Sequence, residues 1–396
     1  MTQIKPKAAF ALLASTVLTL LASSSAPTPL YATYQARWDF SDGIVTVIFG
    51  VYAVAVLGSL LVFGSLSDHI GRRPILVVTL IAQAFVMVVF ATAGGLDVLL
   101  LARVLQGLAT GAALGAIGAG LVDLHPGDGP VANSVAAMAG TATGALGSAL
   151  LVQLLPAPTE LVYLLMATLF LIQAAGIALI AETSPRVPGA RAALRPVLGI
   201  PPAVRGALLV AAPSLVAVWT LAGFFASLGP SLTDLVARTH STILGGGSLF
   251  VLAIGGSLTV LAFHRTEARR FALAGSLLMI AGTSVVLWSI AETSAAGFFI
   301  GTAIAGAGFG AGFQGGLRTI VALAEPHQRA GVISVAYVIS YLALGLPAIL
   351  AGELVVHSTV TRTAEEFGAG VILLAALTTA GLVLSGPRRV AIGSAA

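Results

Sequence analysis

Apolar runs of about 20 residues, each long enough to cross a bilayer, fill nearly the whole of this 396-residue chain. The turns between them are short and rich in glycine, proline and charge. In lipid, every backbone polar group needs a partner within the protein, so these runs are predicted to be helices. A mean hydropathy of +1.03 and 58% hydrophobic residues exclude a soluble globular protein.

The pattern predicts an all-α integral membrane protein with twelve transmembrane helices. The predicted spans are 8–31, 44–66, 74–94, 98–122, 131–154, 160–181, 206–229, 243–263, 271–291, 296–323, 330–355 and 368–386. The first span has an alternative reading. Lys5 and Lys7 precede its apolar stretch and Ser23-Ser24-Ser25-Ala26 follows, as in a cleaved signal peptide.

Lysine and arginine are distributed unequally between the two sides of the predicted membrane. With the N-terminus inside, the inner side holds Lys5, Lys7, Arg72, Arg73, Arg186, Arg191, Arg195, Arg205, Arg265, Arg269, Arg270, Arg329, Arg388 and Arg389. The outer side holds Arg37, Arg238 and Arg362. This bias predicts a bacterial inner (plasma) membrane protein with both termini cytoplasmic and with membrane lipids near its inner charges. It also accounts for the pI of about 9.8 without nucleic acid as a partner.

A polar segment from Gly64 to Pro74, here called the island, separates two apolar runs in a chain with only 9% charged residues. Glycine allows tight turning and close backbone approach. Within the island, Asp68 is placed to accept a two-pronged bond from Arg72. Asp123, at the inner end of the fourth predicted span, is a second acidic partner within reach.

The island resembles the segment between the second and third helices of the major facilitator superfamily of secondary transporters. The matching residues are Gly64, Leu66, Asp68, Gly71, Arg72 and Arg73. The resemblance implies two pseudo-symmetric six-helix bundles, and a conformational switch in which Asp–Arg–Asp contacts hold the outward-facing state. On the residues alone, the alternative is a topology signal with a surface ion pair worth under about 1 kcal/mol.

The longest and least apolar interior stretch is 183–205, which contains five prolines and four arginines. It predicts an N-terminal six-helix bundle at 1–182, a cytoplasmic linker at 183–205 and a C-terminal six-helix bundle at 206–396. A weak repeat accompanies this division, because His125-Pro126 follows the fourth span and Glu325-Pro326 follows the tenth. Chance similarity between helices rich in glycine and alanine is the alternative explanation.

Arg103 lies about five residues inside the fourth predicted span, followed by Gln106 and Gly107. A cation in that position is costly in lipid and is expected to face a cavity or a partner. Arg103 and Gly107 match a second family motif, R-x-x-x-G. The resemblance implies a role in proton coupling or substrate contact, while snorkelling of Arg103 to the nearby outer interface is the alternative.

In the fifth predicted span Gly140, Gly144 and Gly147 recur at helical spacing, which favours close helix packing. Drug antiporters of the family carry G-x-x-x-G-P-x-x-G-G at this point. Ala145 and Ser148 replace the proline and the last glycine of that motif. Generic packing is therefore the favoured interpretation.

No aspartate or glutamate lies deep in a predicted span. If protons drive transport, Asp42 at the mouth of the second span or Asp234 after the seventh is the predicted carrier. Helix capping or plain solvation is the alternative at both positions. Proton coupling is thus implied by the resemblance rather than by these residues.

Spans one, four, seven and ten line the central cavity in the resembled fold. Predicted contacts for substrate there are Arg103, Gln106, Trp219, Phe224, Phe313 and Gln314. A mostly apolar and aromatic lining suits an amphipathic organic molecule. Packing inside a bundle, or contact with lipid, is the alternative for Trp219 and the phenylalanines.

The chain is most similar to bacterial drug-efflux members of the family. It is predicted to be a monomeric secondary transporter of small amphipathic compounds that works by alternating access, with protons as coupling ion. A lipid or lysolipid translocase and a sugar or metabolite exporter are the alternatives, and a membrane sensor is disfavoured. No enzyme, cofactor or metal site is expected, since the chain has no cysteine and no apparent nucleophile–base pair or metal cluster.

Overall fold

The described part of the chain contains twelve helices that are long and apolar enough to span a membrane, as the sequence predicts. The computed structural model describes residues 4–385 apart from 185, 197, 326 and 327. Within these residues the chain forms fourteen α-helices and two short 3₁₀ turns, at Thr28–Leu30 and Ala192–Leu194. Pro326, Arg388 and Arg389, which contribute to the predicted repeat and charge bias, lie outside the described residues.

The first six spans use eight helices. They are α1 (Pro6–Ser25), α2 (Tyr31–Trp38), α3 (Asp42–Phe63), α4 (Leu66–Ile70), α5 (Arg72–Ala91), α6 (Leu96–Leu124), α7 (Gly129–Leu154) and α8 (Pro158–Ala178). The last six spans use one helix each. They are α9 (Pro202–Ala237), α10 (Thr242–Phe263), α11 (Ala268–Ala291), α12 (Ala295–Val321), α13 (Arg329–His357) and α14 (Val360–Leu384).

The largest differences between predicted and observed boundaries are at the first, seventh and last spans. The seventh span is Pro202–Ala237 rather than 206–229. The first span continues through a break into α2, and the island contains the short helix α4. The last span begins at Val360 rather than 368, because Arg362 and Glu366 pair on the helix surface at 3.2 Å and so tolerate a helical turn. The division at 183–205 stays a prediction, although α9 begins at Pro202.

Two apolar cores correspond to the two six-helix bundles. One consists of residues from α1 to the turn after α8, and the other mainly of residues from α9 to α14. The second core also includes Tyr52 and Val56 of α3 and Met138 of α7. Apolar packing therefore continues from one bundle into the other.

The bundles meet along two helix pairs, α3 with α13 and α7 with α10. A Cβ on Gly50 would lie 2.6 Å from the Ile349 side chain, and one on Gly246 would lie 2.7 Å from the Ala145 carbonyl oxygen. The Gly246 contact is with backbone and leaves room only for glycine, so α7 and α10 approach at backbone distance. The Gly50 contact is with the end of a flexible side chain, which is able to move aside. We call the end of the helices that carries Gly64 to Pro74 the island end, and the opposite end the far end.

Close packing also joins α1 to α7. A Cβ on Gly140 would overlap the backbone of Leu18, and one on Gly144 would overlap the Ala22 carbonyl oxygen. Gly147 differs, because a Cβ there would meet nothing within 4 Å. The structure thus places Gly140 and Gly144 at the α1 contact and gives no packing reason for glycine at Gly147.

The α1–α7 contact generates a stability prediction. Gly144→Ala should destabilise the protein by about 1–3 kcal/mol, because the added methyl group forces two backbones apart. Gly147→Ala is the matched control and should leave stability unchanged or raise it by about 0.5–1 kcal/mol, since glycine is unfavourable inside a helix. Thermal unfolding followed by circular dichroism in one detergent measures both, and equal midpoints would contradict the packing geometry.

Candidate functional site

Arg103 projects from α6 into the interior of the first bundle, and its exposed fraction is 0%. Its Nη1 donates to the Ser24 carbonyl oxygen at 2.9 Å and to Gln106 Oε1 at 2.8 Å. Its Nη2 donates to the Tyr31 hydroxyl. These contacts all point inward, so the guanidinium does not snorkel to the membrane surface.

The break between α1 and α2 supplies the carbonyl groups of this site. In a continuous helix the Ser23 carbonyl would accept from residue 27, but Pro27 has no N–H. Gln106 Nε2 donates to that carbonyl instead, at 2.9 Å. Pro27 therefore leaves a backbone acceptor for α6, and a proline shortly after a serine run is the signal for this in the sequence.

Three aromatic rings surround the guanidinium. Its Cζ atom lies 5.7 Å from the ring centre of Tyr31, 5.5 Å from that of Tyr52 and 5.8 Å from that of Phe90. Gly107 brings α3 close, since a Cβ there would lie 2.7 Å from the Tyr52 carbonyl oxygen. The R-x-x-x-G spacing thus places Arg103 at the same contact between α6 and α3 that carries the Tyr52 ring.

The cation is only partly compensated. Its hydrogen-bond partners among the described residues are a carbonyl, an amide and a phenol, with no carboxylate, and Nε has no partner. A buried ion without an opposite charge costs several kcal/mol, which cation–π contacts offset in part. Such a group is typical of a binding or coupling site rather than of a stabilising core.

Gln83 of α5 extends this polar network and was not expected from the sequence. Its Nε2 donates to the Gln106 carbonyl oxygen at 3.1 Å and to Thr110 Oγ1 at 2.7 Å, all in the interior. A glutamine inside an otherwise apolar span was the signal that could have indicated it. The network holds the α6 turn that carries Gln106.

The second bundle contributes an aromatic cluster from three helices. The ring of Trp219 on α9 lies 6.2 Å from Phe309 and 5.5 Å from Phe313 of α12, and 5.7 Å from Tyr341 of α13. Trp219 Nε1 is buried without a partner among the described residues. Gln314, next to Phe313, is also buried.

Phe224 does not belong to this cluster, contrary to its predicted place in a central lining. It stacks on Phe367 of α14 with ring centres 5.6 Å apart and faces α11 beside Leu287. Phe224 follows Trp219 on α9 by about 1.4 turns and so lies on a different face of the helix. Its contacts therefore lie within the second bundle.

At the island end the predicted Asp–Arg–Asp contact is present. Arg72 Nη1 pairs with Asp68, and Arg72 Nε lies 3.2 Å from Asp123 Oδ2. Arg72 Nη1 also donates to Ser67 Oγ at 2.7 Å. The Arg72 side chain is only 12% exposed, so water screens this contact less than an ordinary surface pair.

The glycines of the island have separate roles. Gly71 turns the chain between α4 and α5 with a φ of +117°, a conformation that side chains rarely adopt. Gly64 lies against α6, because a Cβ on Gly115 would be 2.7 Å from the Gly64 carbonyl oxygen. Arg73 does not join the Arg72 pair, and its Nη1 instead donates to the Ile180 carbonyl oxygen at 3.4 Å.

Glu182 is a member of this site that the sequence analysis missed. Its Oε1 accepts from the Arg72 backbone N–H at 2.8 Å, and its Oε2 accepts from that of Arg73 at 3.3 Å. A carboxylate at the start of α5 satisfies unpaired N–H groups and complements the helix dipole. Its position directly after a span, among charged residues, was the available signal.

The segment that follows Glu182 is bound to the island along its length. Thr183 Oγ1 donates to Asp123 Oδ2 at 3.0 Å, and Ser184 Oγ donates to the Asp68 carbonyl oxygen at 3.0 Å. Further on, Val187 N–H donates to the same carbonyl at 3.1 Å. The start of the predicted linker is thus hydrogen-bonded to the island and to Asp123.

The two predicted proton carriers lie at the far end. Asp234, near the end of α9, lies 2.7 Å from His240 Nδ1. Asp42 is the first residue of α3, and its side chain lies outside the described part of the structure. Asp234 lies in a different cluster from the one around Arg103.

Comparison with known proteins identifies the fold. The model of the family described as Major Facilitator Superfamily matches residues 12–265. A mutant of the nucleoside transporter NupG has a similar structure, with a TM-score of 0.71, 12% identity, and coverage of 95% of this chain and 100% of that one. The human organic anion transporter MFSD10 (TETRAN) gives a TM-score of 0.68, 18% identity and the same coverage.

One curated relative matches in part. Multidrug resistance protein D of Escherichia coli (strain K12) is 31% identical over 83 residues. The match spans 21% of this chain and 21% of that protein.

The contacts of Glu182 generate a prediction at the island end. Glu182→Gln should weaken the two bonds to the start of α5 by about 1 kcal/mol, because a neutral amide is a poorer acceptor there. Trypsin should then cleave after Arg186 and Arg191 about fivefold faster, since cleavage follows the population of the released segment. Glu160→Gln, an exposed change at the far end, should leave the rate unaltered; a rate equally unaltered by Glu182→Gln would refute the bound-linker geometry.

Proposed function

Since this chain belongs to the major facilitator superfamily, we propose that it is a secondary active transporter that moves small amphipathic organic compounds by alternating access. The known proteins that it resembles carry the words multidrug, nucleoside and organic anion in their names. Such different cargoes on one fold mean that the substrate class has to be argued from the site.

The observation that carries the proposal is the buried, incompletely satisfied Arg103. An apolar side chain of similar volume would be neutral or stabilising at such a position. The protein instead keeps a cation whose Nε lacks a partner in the described structure. We infer that Arg103, Gln106 and the carbonyls of the α1 break form a polar patch that contacts substrate or a coupling proton during the transport cycle.

The aromatic cluster of the second bundle supports an amphipathic substrate. Trp219, Phe313 and Tyr341 provide an apolar surface with one unpaired donor, Trp219 Nε1. Tyr52, beside Arg103, belongs to the same apolar core as Tyr341. A polar patch packed behind the surface between the bundles, together with an aromatic cluster in the other bundle, fits a molecule with a polar and an apolar part.

We assign to the island the control of movement between the outward-open and inward-open states. The Asp68–Arg72–Asp123 contact and the linker bonds hold the island end together in this conformation. These contacts lie within the first bundle and the linker that leads to α9, so we infer that an opening of the bundles at that end breaks them by moving the linker. A contact of this kind shifts the population by the difference in its strength between the two states, about 1–3 kcal/mol.

The remaining parts of the proposal rest on the charge pattern and on the family. We place the protein as a monomer in the bacterial inner membrane, with the island end and both termini cytoplasmic, because basic residues concentrate there. The proposed direction is efflux and the proposed coupling ion is the proton. Asp234, which lines the cavity at the far end, and Asp42, the first residue of α3 at that end, are the proposed carriers.

Transport by Arg103 variants tests the proposal. Arg103→Met removes the charge at similar volume, and transport in proteoliposomes should fall about 100-fold, as expected when contacts worth about 3 kcal/mol with a charged group are lost. The assay uses an imposed pH gradient and a panel of lipophilic cations, neutral drugs and sugars. Arg103→Lys, which keeps the charge but not the planar fork, should retain an intermediate rate.

Thermal unfolding of the same variants provides the control. The midpoint of Arg103→Met should equal or exceed that of the wild type, because a buried ion is replaced by an apolar group. Full transport by Arg103→Met would disprove the role of this cation. Transport of sugars alone would disprove the amphipathic substrate class.

Asp68→Asn tests the switch, and the absence of cysteine from the chain permits single-cysteine labelling. Val135→Cys reports the island end, where the Val135 carbonyl accepts from Ser257 Oγ at 3.1 Å across the two bundles. Labelling at Val135→Cys should rise about fivefold with Asp68→Asn, a shift of about 1 kcal/mol. Labelling of Ser231→Cys at the far end should fall.

The matched control for this experiment is Asp128→Asn. Asp128 pairs with His125 at the same end and is exposed, so its loss should not change either labelling rate. Identical labelling in Asp68→Asn and wild type would remove the switch from the proposal while leaving the substrate site untouched.

A further inference from the structure

A cavity of about 360 Å³ lies at the far end, between the two bundles. We call it the vestibule, and its principal lining residues are Thr28, Tyr31, Val45, Leu228, Asp234 and His240. They come from the break after α1, from the starts of α2 and α3, from the second half of α9, and from the turn between α9 and α10. A pocket that both bundles build is placed to change shape when the bundles move.

Thr28 presents an unmet hydrogen-bonding group in the vestibule wall. The residue is 3% exposed, and its Oγ1 atom has no partner among the described residues. A buried hydroxyl without a partner is unfavourable by about 1–3 kcal/mol. Thr28 lines the cavity, but Oγ1 itself is closed off from it, so a rotation about χ1 is needed before a bound molecule supplies the missing bond.

Asp234 gives the vestibule its charge. It is the only acid among the described lining residues, and its Oδ2 lies 2.7 Å from His240 Nδ1. Its Oδ1 has no partner among the described residues, and His240 is almost fully exposed. Arg238, one turn further along the chain, does not neutralise this carboxylate, because it donates to Thr293 Oγ1 at 3.1 Å.

Tyr31 connects the vestibule with the buried site. Tyr31 lines the cavity, and its hydroxyl accepts from Arg103 Nη2. The vestibule and the guanidinium are thus connected through one residue. This continuity distinguishes the vestibule from an isolated surface depression.

We propose that the vestibule is a binding site for a small organic cation, whose ammonium group pairs with Asp234 and whose polar group bonds to Thr28. Pro29, Val45 and Leu228 contact its apolar body. The volume is at the lower end of the about 300–1,000 Å³ found for ligand pockets, which limits the cation to about one ring with a short chain. This inference rests on the proposed function and adds to it the charge class accepted at the far end.

Binding of three related probes to the purified full chain in detergent tests the site. Tyramine has an ammonium and a phenol, tyrosol replaces the ammonium with a hydroxyl, and phenethylamine lacks the phenol. Titration calorimetry should show that tyramine binds wild type about tenfold more tightly than either analogue does, a difference of about 1.4 kcal/mol per lost group.

Two variants assign the contacts. Asp234→Asn should weaken tyramine about tenfold and leave tyrosol unchanged, while Thr28→Val should weaken tyramine and leave phenethylamine unchanged. Asp97→Asn, an exposed acid at the far end outside the vestibule, is the control and should change nothing. Circular dichroism confirms that each variant is folded.

The outcomes separate this inference from the proposed function. No tyramine binding to wild type up to about 10 mM, or equal binding by Asp234→Asn, would overturn the vestibule site even if amphipathic compounds are transported. Tyramine binding that depends on Asp234 would support the site even if the transport assay fails. Tyrosol binding as tightly as tyramine would overturn the preference for a cation.

Discussion

The burial of one guanidinium is the constraint on which the centre of this protein depends. Arg103 needs acceptors within the bilayer, and the break at Pro27 provides backbone carbonyls where a regular helix would use them internally. Gln106 and Tyr31 complete the set. The first span consequently cannot be a continuous rod, and the rings of Tyr52 and Phe90 pack where the cation requires them.

Close contacts between helix backbones connect the Arg103 site to the rest of the fold. Gly107 brings α6 against α3, and Gly140 and Gly144 bring α7 against α1. Since α3 and α7 are also the helices that meet the second bundle, the Arg103 site is packed directly behind the surface between the bundles. At the island end, Arg72 and Glu182 tie the start of α5 to α6 and to the linker. The polar network around Arg103 and the ion pairs of the island therefore share two helices, α5 and α6.

Much of this could be read from residue patterns, and some could not. The twelve spans follow from hydropathy, and the meeting of Asp68, Arg72 and Asp123 follows from the island motif. Glu182 was overlooked because, in the sequence, a carboxylate directly after a span is indistinguishable from an ordinary solvated charge. Only the tertiary structure places it at the start of α5. Phe224 was misplaced because hydropathy does not distinguish the face of α9 that looks toward α12 from the face that looks toward α14. Asp234 could be noted as an acid at a span end, but its partner His240 and the neighbouring Thr28 come from separate helix ends.

The amino-acid sequence by itself determined the membrane class, the number of spans and the presence of a costly cation in the fourth one, since these depend on composition and on spacing along a single helix. Only the tertiary structure decided what the cation contacts, which glycines are needed, and that the linker binds the island. Those features join residues far apart in the chain. Their partners are selected by helix packing and by backbone groups that a proline or a helix end leaves unpaired, and neither is visible as a pattern in one segment.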